Sequence, residues 1–480
     1  MVLKVKNLCD LKLTFVVIFF CFSIFIANIG AKSGHIYVVF SLAVALFLLV
    51  SSQRGKKVDF TQAYMLFVIS LWFFTPAVRR LGDLASGWSE LNVYALAPIL
   101  ATSISILFVN PDILKFPKPF KMIVLMFFAL LYSYIIGVLS NGLLPATFSL
   151  MMWLTPLIIF AFIISNARYY EELEKILKLS AIIGTLVFSI YGIYQYFFLP
   201  SWDVYWILNA PITSVGKPFP REFRVFSLSN SPMVFAPILA MLTVLVYAIK
   251  PRLFYIILGL SLFTLFLTFV RAAWFGLTLS LILYFLWLYR TNVLVAAKMA
   301  LSASLLGLIL ILLLSDSEIG ILISQRFESV FALDEDTSYQ ARQQFYIEML
   351  SYALLNIVGD GLGAVGLSQK LAGGEAAETT FDNGILELLV TLGWLGTLFY
   401  VIPIIYFMSK AFFVFRKSKS ASLVAMSTVV ISVLVQMIFS NRFIGPVGFF
   451  YFLFLGYVIA GMLHKKMFIK LSRKMNLSKA

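Results

Sequence analysis

The chain has 480 residues, of which 61% are hydrophobic and only 12% charged, and its mean hydropathy is +0.97. That composition excludes a soluble enzyme and implies an all-α polytopic membrane protein. The net charge of +15 would suit nucleic acid, but the basic residues are distributed as in a membrane protein, so no nucleic-acid partner is expected.

Lys4, Lys6 and Lys12 precede a first apolar run at 13–31, which is too long for a signal-peptide core and is followed by many others. It is therefore read as an uncleaved first span. Further runs lie at 36–51, 60–78, 93–109, 122–140, 144–165, 177–199, 233–249, 253–270, 272–289, 299–315, 385–408, 421–440 and 447–463, about fourteen in all by hydropathy. The expected organisation is a helical region over 1–315 with an external loop at 200–232. A large external loop at 316–384 follows, and 385–480 holds the last spans and a basic tail.

Arg271 is the only charge between Arg252 and Arg290, with an apolar run on either side long enough to cross a bilayer. Two spans turning back at Arg271 fit better than one helix of nearly twice the needed length. A guanidinium buried at such an apex marks a functional site with an anionic partner. With this hairpin both termini are cytoplasmic and 26 of the 37 Lys and Arg residues lie inside, as the positive-inside rule requires.

The remaining basic residues are Lys32, Lys217 and Lys370 against Arg79, Arg80, Arg221, Arg224, Arg271, Arg326, Arg342 and Arg442, whereas Lys outnumbers Arg by 20 to 6 inside. Lysine is a generic solvated anchor, while arginine presents a rigid fork suited to phosphate or carboxylate. As a set, the external arginines therefore read as selected for an anionic ligand. The competing reading pairs each with an external acid such as Asp83, Glu90 or Glu222, or with a lipid phosphate.

The loop at 200–232 carries Trp202, Tyr205 and Trp206, then Lys217, Arg221 and Arg224; its aromatic residues can stack on sugars or anchor the interface. The loop at 316–384 is too long to lack structure. Within it, 338–356 has apolar residues at helical spacing, an amphipathic helix lying on the membrane or the bundle. A turn at Gly359-Asp-Gly-Leu-Gly363 ends it, and Asp334-Glu-Asp336 reads as a solvated loop. Cys9, Cys21, His35 and His464 cannot converge on zinc, no Walker loop occurs, and the short cytoplasmic loops leave no room for an ATPase or nucleotide-sugar domain. No cofactor or metal is expected.

Where the large loop re-enters the membrane stand Asp382 and Asn383, then, after nine residues, Gly393-Trp-Leu-Gly396-Thr397. The glycines fall on later turns of the same helix, where small residues admit a close neighbour. Alone, Asp382 reads as a helix N-cap. The pattern, however, resembles the signature of the O-antigen ligase and Wzy-type O-antigen polymerase superfamily. Three other pieces are similar to that family, in the same order: Arg-x-Phe-Ser-x-Ser-Asn-Ser at 224–231, Arg-Ala-Ala-Trp at 271–274, and Arg342 upstream of the glycine turn. The likeness covers roughly Arg221 to Thr397, and 378–396 faintly resembles the catalytic loop of SEDS peptidoglycan polymerases. The ligases usually have His at the first position. Here it is Asp382, which argues against a ligase with the usual base and is compatible with the polymerase branch.

The resemblance implies a GT-C-like bundle in a bacterial inner membrane with its active site facing the exterior. It implies glycans on undecaprenyl diphosphate as donor and acceptor, membrane lipids as surroundings and a chain-length regulator as a further candidate partner. Arginines would stabilise the leaving diphosphate without a metal, Arg224 and Arg271 first, with Arg342, Arg221, Arg442, Lys217 and Asn383 contributing to binding. Asp382 would be the general base that deprotonates the acceptor hydroxyl in one inverting displacement. The alternatives are a ligase that moves finished polymer to another acceptor, and a lipid-linked-oligosaccharide flippase. Transporters tend to show repeated halves and mid-membrane charges, and this sequence shows neither.

Overall fold

The computed structural model describes residues 2–28, 33–53, 57–89, 92–210, 215–290, 337–366, 368 and 383–477. The expected span at 299–315 lies outside these residues, as do Lys32, Glu90, Arg326, the acidic stretch 334–336, Lys370 and Asp382.

A chain in lipid must satisfy its backbone polar groups within the segment, so the apolar runs fold as helices. In order they are α1 (Val2–Ala27), α2 (Ser33–Gln53), α3 (Lys57–Ser86), α4 (Leu96–Ser103), α5 (Pro117–Asn141), α6 (Leu143–Ser165), α7 (Tyr170–Phe198), α8 (Ser201–Asn209), α9 (Pro232–Ile249), α10 (Phe254–Leu267), α11 (Arg271–Leu288), α12 (Thr337–Leu355), α13 (Gly384–Lys417), α14 (Ala421–Gln436) and α15 (Gly445–Leu477). Among the described residues nine helices are long and apolar enough to cross a membrane, and four shorter apolar ones lie at Lys12–Ala27, Val93–Phe108, Phe254–Leu267 and Ala421–Gln436. Together they match, in order, every expected run except that at 299–315. The run at 93–109 is less regular than expected: only α4 is α-helical, and 3-10 turns flank it at Val93–Ala95 and Ile104–Phe108.

The bundle is built around α15, whose apolar stretch is 89% buried, against 33% for α5 and α11 at the rim. It lies along α6 and also touches α14, α13, α7 and α9. Aromatic rings fill the contacts, with Phe449 stacked on Trp72 at 4.9 Å and Phe450 on Phe73 at 5.2 Å.

Polar groups sort to the two ends. At one end Lys12 donates to Gln62 at 2.6 Å, Gln62 donates to the Glu172 carbonyl at 2.9 Å, and His464 meets the Ala167 carbonyl at 3.1 Å. The beginning of α1 and the later part of α15 therefore share that end. The opposite end carries Arg79, Arg80, Arg224, Arg271 and Arg442.

The chain reverses at 268–270. Tyr247 near the end of α9 touches Phe254 at the start of α10 and also Tyr284 and Phe285 near the end of α11, so α10 and α11 run in opposite directions. A non-glycine residue with positive φ, Phe269 at 51°, makes the bend.

The expected helix at 338–356 falls on α12. Ala353, Phe345, Tyr346 and Met349 pack against Leu386 and Val390 of α13, while Ile347, Leu350, Leu354 and Leu355 are exposed. Apolar side chains on both faces suit an element sandwiched between a helical bundle and lipid.

Candidate functional site

Arg271 is the first residue of α11 and is exposed rather than buried in the turn. It stands at the rim of the bundle end, where Ala272 and Ala273 take the inward positions. Trp274 folds back to close the bend: its indole N–H donates to the Leu265 carbonyl at 2.9 Å, and its ring stacks on Phe266 at 5.5 Å. The N-cap of α11 is Val270, which supplies no capping side chain. The positive end of the helix dipole and a guanidinium thus coincide, an arrangement unfavourable for a cation alone and favourable for an anion held by both.

Arg224 lies on an extended stretch fixed at each step. Its N–H donates to the Val215 carbonyl at 2.7 Å, and the next N–H, of Val225, donates to the Leu267 carbonyl of α10 at 3.1 Å. The stretch ends at Ser227, with φ at 49°. Gln195 of α7 accepts from the Phe226 and Ser227 N–H groups at 3.2 and 2.8 Å, and Arg80 of α3 donates to the Ser227 carbonyl at 2.6 Å. Arg80 is paired with Asp203 of α8 at 2.6 Å, with both side chains fully buried. The structure thus ties the Arg224 stretch directly to the turn that carries Arg271.

The start of α13 adjoins the same region. Phe275 of α11 meets Phe439 at 6.3 Å, and the Gly384 N–H donates to the Met437 carbonyl at 2.8 Å. Asn383 is the N-cap of α13, its side-chain oxygen accepting from Ile385 and Leu386 at 2.8 and 3.1 Å. The capping role that the sequence offers to Asp382 therefore belongs to its neighbour. That oxygen of Asn383, expected to bind substrate, is engaged in the cap.

Beside this cap lie two buried ionisable side chains. Glu387 is 8% exposed and accepts from the Asn441 side chain at 3.1 Å. Arg442, 3% exposed, donates from Nη1 to the Met233 carbonyl at 3.3 Å, while its Nε and Nη2 have no hydrogen-bond partner. Burial pulls the guanidinium down to about 10, which leaves it charged at neutral pH. Among the described residues neither group has an ion-pair partner.

Gly393 does not sit within an unbroken helix, as the sequence suggests. Its φ of 66° and ψ of −179° split α13. Carbonyls around the break find donors outside the helix ladder: Thr397 Oγ1 reaches Leu388 at 2.9 Å, the Asp360 N–H reaches Val390 at 2.8 Å, and Ser133 Oγ reaches Thr391 at 2.8 Å. The Trp394 N–H donates to the Ile357 carbonyl at 2.9 Å. The glycine turn after α12 plugs the gap, because a Cβ on Gly393 would overlap the Val358 carbonyl and one on Gly359 the Gly393 backbone. The neighbour that approaches Gly393 is thus a loop backbone rather than a second helix. Irregular backbone at this depth persists only where protein satisfies it.

Other expected site residues are placed differently. Lys217 pairs at 3.5 Å with Glu222, which therefore has a lysine partner rather than an arginine. Arg221 lies over the Phe197 ring at 5.3 Å, and Arg342 falls on α12. Arg79 bonds Asp83 at 3.3 Å and the Ser89 carbonyl at 2.8 Å, and covers Trp206 at 4.9 Å. Arg79 and Arg80 therefore serve internal acids, which narrows the anion-binding set. Trp206 is buried, with its N–H on the Asn230 carbonyl at 3.1 Å, so it presents no face to a sugar.

Gln195, Asp203 and Glu387 escaped the sequence reading. The available signal was a polar residue within an apolar or aromatic run, which by default marks a site or a network.

Residues 256–401 match a family model described as O-antigen ligase. The match includes the Arg271 turn, α12, the Asn383 cap and the Gly393 break, while Arg224 and Arg442 lie outside it. No curated protein matches the chain. The ordered motifs and the matched segment make the chain similar to the O-antigen ligase/Wzy superfamily of membrane enzymes.

Proposed function

We propose that the protein polymerises oligosaccharide repeat units carried on undecaprenyl diphosphate, at the outer face of the bacterial inner membrane. Arg271 and Arg224 bind the diphosphate of the donor and stabilise its charge as the glycosidic bond breaks. Asp382 takes the proton from the acceptor hydroxyl, which attacks the anomeric carbon in a single inverting displacement. The lipid diphosphate leaves with the bonding electron pair, and no nucleotide sugar or metal enters the step.

The observation that carries this reading is the Val225–Leu267 hydrogen bond, which ties the Arg224 stretch to the Arg271 turn. Two further features support it. The capping of α13 by Asn383 relieves Asp382 of that role. The unpartnered nitrogens of Arg442 add a buried cation beside the same helix start. Each unmet buried donor costs about 1–3 kcal/mol, a cost that a bound anion would offset.

The family description favours a second reading, transfer of finished polymer to another acceptor. Purified protein supplied with a lipid-diphosphate-linked repeat unit separates the two. Products lengthened by whole repeats support polymerisation. Transfer only to an added acceptor without diphosphate indicates a ligase, and transbilayer movement without new bonds indicates a flippase.

A further inference from the structure

We infer that Gln195, Asp203 and Arg80 are positioning residues that fix Arg224 for its role in the proposed reaction. This inference rests on the reading of Arg224 as a diphosphate-binding group.

All three side chains are fully buried, on three different helices, and they converge on one turn. The Gln195 side-chain N–H donates to Asp203 Oδ2 at 2.8 Å. This bond fixes which way the amide points and turns its oxygen toward the Phe226 and Ser227 N–H groups. Tyr191 donates to the same carboxylate oxygen at 2.8 Å, and Trp202 donates to Tyr191 at 2.6 Å. Arg80 compensates the carboxylate and holds the Ser227 carbonyl.

The amides and carbonyl of one short turn are thus gripped by a network in which each member orients the next. Ser227 has positive φ, a conformation that costs a non-glycine residue roughly 1–3 kcal/mol and persists only where its surroundings over-determine it. A simple loop closure needs no such arrangement. Arg224 lies three residues before Ser227 and next to Val225, whose N–H bonds the Leu267 carbonyl, so the network holds the short stretch of backbone that carries it. Networks of this kind act as units and lose more than one bond when a member is removed.

The test is a double-mutant cycle in the purified protein with a lipid-diphosphate-linked donor, combining Gln195→Met with Arg224→Ala. If Gln195 acts through Arg224, Gln195→Met alone lowers kcat at least tenfold with KM changed less than threefold. The double variant is then no slower than Arg224→Ala. A double variant slower than Arg224→Ala by the full Gln195→Met factor overturns the inference. A separate readout does not depend on turnover. In a chain with Cys9 and Cys21 replaced by Ser, Arg224→Cys is labelled with a membrane-impermeant maleimide, with and without Gln195→Met. A labelling rate changed at least tenfold supports positioning, and an unchanged rate overturns it. Full activity in Arg224→Ala with a changed labelling rate rejects the proposed role of Arg224 but not the network's hold on it.

Discussion

The backbone N–H of Val225 donates to the carbonyl oxygen of Leu267 at 3.1 Å, although the two residues lie far apart in the sequence, one in a loop and one at the end of α10. Leu267 is the last residue of α10, and its carbonyl is among those a helix terminus leaves unsatisfied. The Arg224 stretch meets that need, and in doing so is placed beside the turn that carries Arg271.

Replacing Arg271 with Lys keeps the charge but removes the planar fork. Turnover is expected to fall on the order of a hundredfold, the scale for losing one preorganised donor to a developing anion. The residue is exposed, so yield and detergent melting temperature should match wild type. Turnover near that of wild type would rule out phosphate recognition there.

Asp382→Asn is expected to abolish chain extension while leaving donor binding intact, since the amide cannot accept the acceptor's proton. The readouts are polysaccharide length on gels and retention of labelled donor. An unchanged length distribution would remove Asp382 from the chemistry.

Gly393→Ala should destabilise the protein by more than about 2 kcal/mol, because it imposes both a disfavoured φ and an overlap with the Val358 carbonyl. Gly396→Ala meets Leu392 and Tyr132 side-chain atoms at 3.1 and 3.2 Å and should be much milder. Melting curves of the two purified variants compare them directly, and equal losses would deny the break its structural role.

Arg442→Met replaces a buried, incompletely bonded cation with an apolar side chain of similar length. The exchange removes two unmet buried donors, each costing about 1–3 kcal/mol. The variant should melt no lower than wild type, while its KM for the lipid-linked donor rises at least fivefold. A stable variant with unchanged KM would make Arg442 a purely structural residue.

The sequence by itself determined the membrane helices and their order, because the need to satisfy backbone groups in lipid leaves a long apolar run little choice but helix. It also held the reversal at Arg271, since one helix of that length would overshoot the bilayer. Tertiary structure alone decided how the arginines divide. Arg79 and Arg80 are drawn inward to Asp83 and Asp203, while Arg271 stays exposed at the start of α11. The break at Gly393 was equally hidden, for it depends on distant partners, Val358 and Asp360. Periodicity reports which face of a helix is apolar, but a hydrogen bond between remote segments leaves no local trace in the chain.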